Sequence, residues 1–145
     1  MGMSGKLFHN GIFSVFVPEG WNCFYGIDSE GNTSPKKLHI YKDAQTEFDV
    51  FSKAGLTICY YGKDEYFLSP KFFYDDVQDM EPFECGKHRW EGYTCTSLGY
   101  PYTMLTAMSD NATFYVMVLT ENGEHQISLQ DGDVRSILES IEACE

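Results

Sequence analysis

Positive charge is scarce in this chain. Ten Lys and Arg stand against 22 Asp and Glu over 145 residues, a formal net charge of −12. Nucleic-acid binders concentrate cations to displace the counterions of phosphates, and here the only adjacent pair is Lys36-Lys37. Nucleic acid and anionic membrane surfaces are therefore poor partners, whereas a basic protein would be attracted. Long apolar runs are missing too. No stretch has the length of a membrane span or a signal-peptide core, so no membrane insertion is expected. An export signal lost upstream would leave no trace.

Cysteine pairing motifs are absent as well. Cys23, Cys59, Cys85, Cys95 and Cys144 form no Cys-x-x-Cys, and their odd number leaves at least one unpaired. Four of them fall inside apolar strand patterns, where cysteine acts as a small hydrophobe. Five free thiols and a reducing, cytoplasmic location are the expectation. There is no internal repeat, low-complexity tract or linker, so residues 1–145 read as a single domain. With 43% hydrophobic and 16% aromatic residues the composition is globular. A chain this long buries roughly 68–70% of its unfolded surface, enough for a core without metal or disulfide.

The signatures of catalysis are also missing. No Gly-x-Ser-x-Gly elbow, protease-type cysteine context or Gly-rich phosphate loop occurs. Cys85-x-x-His88 is a lone pair of metal-ligand spacing with no second pair to complete it, and a hairpin turn with an incidental histidine is by far the stronger reading. Asp28-Ser29-Glu30-Gly31-Asn32 starts like a calcium loop, but Thr33 stands where its glycine belongs and His39 where its final acid belongs. Asp75, Asp76 and Asp79 lack the burial that tunes catalytic carboxylates. The sequence thus implies no metal, no cofactor, no catalytic residue and no enzyme activity.

What the chain does contain is strand pattern. Residues 12–17, Trp21–Ile27, Lys37–Tyr41, Leu56–Tyr61, Trp90–Ser97, Tyr102–Met108, Ala112–Thr120 and His125–Leu129 read as strands, while 43–54 fits no standard element. A polar turn is expected at 109–111, and Asn122-Gly123 marks a tight hairpin. Two helices are expected. The first spans 70–80, opened by Ser69-Pro70, with Phe73, Val77 and Met80 on one stripe. The second spans 133–143, with Val134, Ile137, Leu138 and Ile141 on one face. Phe114–Leu119 is apolar without alternation, so that strand must be covered on both faces. The expectation is an α+β fold: a central, mostly antiparallel sheet flanked by helices as an α/β/α sandwich.

The Phe13–Val17 strand broken by Pro18-Glu19-Gly20-Trp21, and the closing helix after Asp131-Gly132-Asp133, resemble the PsbP-like fold. That family includes oxygen-evolving-complex proteins, a Ran-binding nuclear import factor and small bacterial proteins. The resemblance spans nearly the whole chain and implies the same sandwich. It also implies a role in assembly or partner binding, because family members mostly act that way rather than as enzymes.

The one constellation suited to recognition is aromatic. Trp90, Tyr93, Tyr100 and Tyr102 gather around the Gly99-Tyr100-Pro101-Tyr102 connection, with Tyr60, Tyr61, Tyr66 and Phe67 elsewhere. Exposed Trp and Tyr offer large contact area at low entropic cost; the same side chains also serve as sheet packing. The functional expectation is a non-catalytic protein-interaction or chaperone-like module, binding another protein through a sheet edge or an aromatic surface. The alternative is a small-ligand binder with an apolar pocket between sheet and helix.

Overall fold

The computed structural model describes residues 4–65, 67–109 and 112–144. Tyr66 and residues 110–111 of the expected turn lie outside them. The chain folds mainly into strands: β1 (Gly5–His9), β2 (Phe13–Pro18), β3 (Trp21–Ile27), β4 (Thr33–Lys42), β5 (Gly55–Gly62), β6 (Asp75–Cys85), β7 (His88–Ser97), β8 (Tyr100–Met108), β9 (Ala112–Leu119), β10 (Glu121–Asn122), β11 (His125–Gln126) and β12 (Glu142–Ala143). The one α-helix among the described residues, α1, is Gly132–Ser140.

Seven strands form an antiparallel sheet in the order β3-β4-β5-β9-β8-β7-β6. Two meanders, β3–β5 and β6–β9, meet edge to edge through β5 and β9. The unalternating β9 is the central strand, with Phe114, Val116 and Val118 on one face and Tyr115 and Met117 on the other. Successive residues of a strand point to opposite faces, so an all-apolar run belongs where both faces are covered.

On the first face lie α1 and a small sheet of order β1-β2-β12. Phe13, Val15, Val134, Ile137, Leu138 and Ile141 pack there against Ile40, Leu56, Ile58, Leu105 and Val116, all fully enclosed. These side chains occupy the space between sheet and helix, where the sequence suggested a ligand pocket.

The fold is therefore mostly β, and the expected α+β sandwich is corrected on one decisive point. Residues 70–80 are not a helix. A single 3-10 turn, Lys71–Phe73, follows Pro70, and the rest is β6. The pairing of β6 with β7 slips between Asp75 and Gln78 and again between Met80 and Phe83. Each bulge inserts one extra residue; across the second, Met80 and Phe83 stand three apart on the α1-side face, whereas Val77 packs on the opposite face, so Phe73, Val77 and Met80 mimic a helical stripe by spacing alone. Asp76 adopts φ 53° at the first bulge. With that helix gone, the second face carries no helical layer, and the architecture implied by the PsbP-like resemblance is lost on that side.

The closing helix ends at Ser140, and Glu142–Ala143 pairs with β2 rather than extending it. β1 has no counterpart in the sequence reading. The segment 43–54 holds a 3-10 turn, Glu47–Phe51, fastened by the Asp49 carboxylate, which accepts the backbone amides of Gln45 (2.6 Å) and Thr46 (3.1 Å). Those bonds hold the Asp49 carboxyl below its usual range. In the β10–β11 hairpin the central residues are Gly123-Glu124, since Asn122 pairs with His125. Asn122 instead spends its side-chain amide on the carbonyls of Phe51 and Lys53.

Candidate interaction face

The face of the large sheet opposite α1 is built from tyrosines, thiols and methionines. Tyr41 and His39 come from β4, Thr57, Cys59 and Tyr61 from β5, Tyr115 and Met117 from β9, Tyr102 and Met104 from β8, and Tyr93 and Cys95 from β7. Two non-regular segments lie over it. Val50, from the 3-10 turn at 47–51, packs with Tyr41, Leu119, Phe24 and Tyr102. Phe67, from the connection after β5, packs with its ring centre 5.1 Å from those of both Tyr61 and Tyr115, tilted to each, and Lys71 lies 5.5 Å over the Tyr93 ring while pairing with Asp79.

Burial sets the electrostatics of this face. The ring of His39, held at 2.7 Å from the Thr57 hydroxyl, loses hydration and sits beside Lys37; both effects lower its pKa, to about 4. Burial pushes the Cys59 thiol up to about 11, partly offset by Lys37. Tyr41 rises to about 12 by burial and by the neighbouring Tyr102. Tyr115 is raised furthest, by burial first and then by the hydroxyls of Tyr93 and Tyr74. The Tyr93 and Tyr115 hydroxyls are enclosed without a well-formed hydrogen bond among the described residues. Near neutral pH the face presents uncharged phenol, imidazole and thiol groups. A nucleophile needs a lowered pKa or an adjacent base, and these thiols are pushed the other way.

The two segments over this face turn large apolar side chains outward. Phe72 is 94% exposed and Phe73 86%, with Leu68 beside them at 71%; on the other segment Phe48 and Phe51 are also exposed. The single 3-10 turn that carries Phe72 and Phe73 buries neither.

The four aromatics singled out by the sequence divide between the faces. Trp90 is fully enclosed on the α1 side, 5.4 Å from the His88 ring. Tyr93 is buried on the opposite face. Tyr102 is half-buried there and bridges the Tyr93 and Tyr41 groups. Tyr100, two residues earlier on β8, is exposed. Three of the four thus share a face and Trp90 does not. The sequence reading missed Phe48, Phe51, Phe72 and Phe73, although Phe72 lies off the 73/77/80 stripe and signals exposure even in a helix.

The metal-like features have structural roles. Cys85 and His88 flank the Gly86-Lys87 turn, and both reach toward α1: the Cys85 thiol donates to the Arg135 carbonyl (3.4 Å) and the His88 ring bonds the Ile141 carbonyl. Gly86, at φ 64°, passes so close that a Cβ there would stand 2.8 Å from Glu139. Asp28 accepts the amides of Glu30 and Asn32 within its own turn. Among the described residues no three His, Cys, Asp or Glu side chains are grouped to hold a metal, and no helix is long and apolar enough to cross a membrane.

No protein-family model and no curated protein sequence matches the chain. A solved structure from Bacteroides thetaiotaomicron VPI-5482, determined at 1.50 Å, is similar in fold, with a TM-score of 0.53 at 14% identity over 99% of this chain. The chain spans 50% of that protein's length. The likeness is one of fold alone.

Proposed function

We propose that this protein is a non-catalytic interaction module that binds another protein through the tyrosine-lined face and its phenylalanine-bearing rim. One observation carries the reading: Phe72 and Phe73, adjacent and almost wholly exposed, stand on a turn whose neighbours Phe67 and Lys71 are anchored to the sheet. Exposed aromatics on an anchored turn lose little further entropy on binding and fill a partner's pocket. The net charge of −12 favours a partner with a basic surface. The PsbP-like resemblance supports the same class of role by analogy, and the raised thiol pKa values fit binding better than turnover. Five free thiols suit a reducing, cytoplasmic setting.

A second reading, a small-ligand binder, draws on the enclosed Tyr93 and Tyr115 hydroxyls, which a ligand with hydrogen-bonding groups would satisfy. The experiment that separates the two compares the Phe72→Ser/Phe73→Ser double variant with the parent in affinity capture. Loss of the co-purifying protein at an unchanged melting temperature supports the interaction module. Unchanged capture contradicts it.

A further inference from the structure

The two edges of the large sheet are treated in opposite ways. β6, one edge, carries Asp75, Asp76, Asp79, Glu81 and Glu84, a proline at 82 and two bulges. These are the devices that stop an edge strand from pairing with another chain. β3, the other edge, reads Trp21-Asn22-Cys23-Phe24-Tyr25-Gly26-Ile27, with no charge and no proline, and its pairing with β4 is regular from Trp21 to Tyr25, shifting only before Gly26. A chain with 22 acidic residues places none of them on this edge.

The β3 edge also borders a cleft. A cavity of about 830 Å³ lies between Trp21–Cys23, the segment Ser4–Phe8 that contains most of β1, and residues 43–45. Among the described residues β1 pairs with β2 alone, so its outer side is a free edge as well. The β2–β3 turn at Glu19-Gly20 borders the cleft, and Phe8 and Tyr25, ring centres 5.9 Å apart, join the two strands farther along. Two free edges thus share one opening, and along each of them alternate backbone N–H and C=O groups point away from the existing partner strand.

From this asymmetry we infer that the β3 edge is a strand-addition site for an extended polypeptide segment carrying a cationic residue. The main chain of the segment pairs with β3 as an added strand, and its alternate side chains meet Trp21, Cys23 and the β1 wall. Its charge follows from the lining of the cleft, where Glu19 and Asp43, exposed and in no ion pair among the described residues, outnumber the one lining cation, Lys6. A second copy of this chain is the poorer occupant, because it brings its own −12. This inference is independent of Phe72 and Phe73, whose segment packs on β5, β9 and β7; the turn bearing Phe48 and Phe51 lies nearer, its Val50 sharing a cluster with Phe24 of β3.

The test pans the intact protein against a phage-displayed library of random dodecapeptides, then maps the binding of the enriched synthetic peptides by amide hydrogen exchange. The expected result is enrichment of alternating apolar sequences with a Lys or Arg, and slowed exchange within 21–27. Glu19→Gln with Asp43→Asn should weaken those peptides at least tenfold and flatten the salt dependence; Asn tolerates the φ of 61° at position 43. No enrichment, acidic enriched peptides, or protection confined to 67–73 would overturn the inference. So would protection of 21–27 that rises with protein concentration alone, which would make the occupant a second copy. Protection at 67–73 would leave the phenylalanine-rim proposal standing.

Discussion

The indole of Trp21 donates a 3.1 Å hydrogen bond to the carboxylate of Asp133, 112 residues away in the chain. The same carboxylate accepts the Val134 amide at the start of α1 and lies 3.7 Å from the Lys42 ammonium. One acidic side chain thus ties the β2–β3 corner, the end of β4 and the helix together. Asp133→Ala should cost about 1.5–3 kcal/mol, the range for hydrogen bonds to charged groups. Chemical denaturation with an unchanged midpoint would show that the corner holds without this tie.

Leu138 is fully enclosed between α1 and the sheet. Leu138→Ala should cost about 2–5 kcal/mol through lost contacts and the cavity left behind. An unaltered melting curve would mean that α1 does not pack as described.

His39 makes stability depend on pH. Its folded pKa of about 4 lies below the unfolded value of 6.5, so the unfolded chain takes up a proton first as pH falls. The contribution of neutral, half-buried His39 is present above pH 6.5 and is lost progressively down to about 4. Asp49, Glu65 and Glu142, each held below its usual range by hydrogen bonds or lysine partners, weaken the fold further in the acid range. His39→Gln should therefore flatten stability between pH 6.5 and 4 while leaving the steeper loss below it. Parallel denaturation curves for parent and variant across that window would refute the assignment.

Thiol reactivity should divide by burial. Burial raises Cys23, Cys59, Cys85 and Cys95, and a protonated thiol is a poor nucleophile. Cys144, at the half-exposed C-terminal end 3.4 Å from His9, should react first with a thiol reagent at pH 8. All five should titrate once the chain is denatured without reductant. A total below five would reveal a disulfide.

How far the sequence announces this structure depends on the signal each element leaves. The unalternating run at 114–119 identifies the strand covered on both faces, because that requirement is written into every residue of β9. The stripe at 134, 137, 138 and 141 identifies α1 for the same reason. β6 is hidden because Phe73, Val77 and Met80 have helical spacing although Val77 and Met80 pack on opposite faces, and because the second bulge sets Met80 and Phe83 three apart on one face. Register hides the fate of Trp90 and Tyr93: three residues apart on β7, they face opposite sides of the sheet, a separation that proximity in sequence conceals. The exposed Phe72 and Phe73 went unseen because the helix assigned to 70–80 gave Phe73 a core to enter.

The central claim is that the phenylalanine rim meets another protein. Its most direct test places a photo-crosslinking benzoylphenylalanine at position 72, at position 51, and at Glu84 on the acidic β6 edge as a control, followed by irradiation in native lysate. The account predicts one shared protein adduct from positions 72 and 51 and none from 84. Adducts absent at 72 and 51, or equally abundant at all three positions, would contradict it.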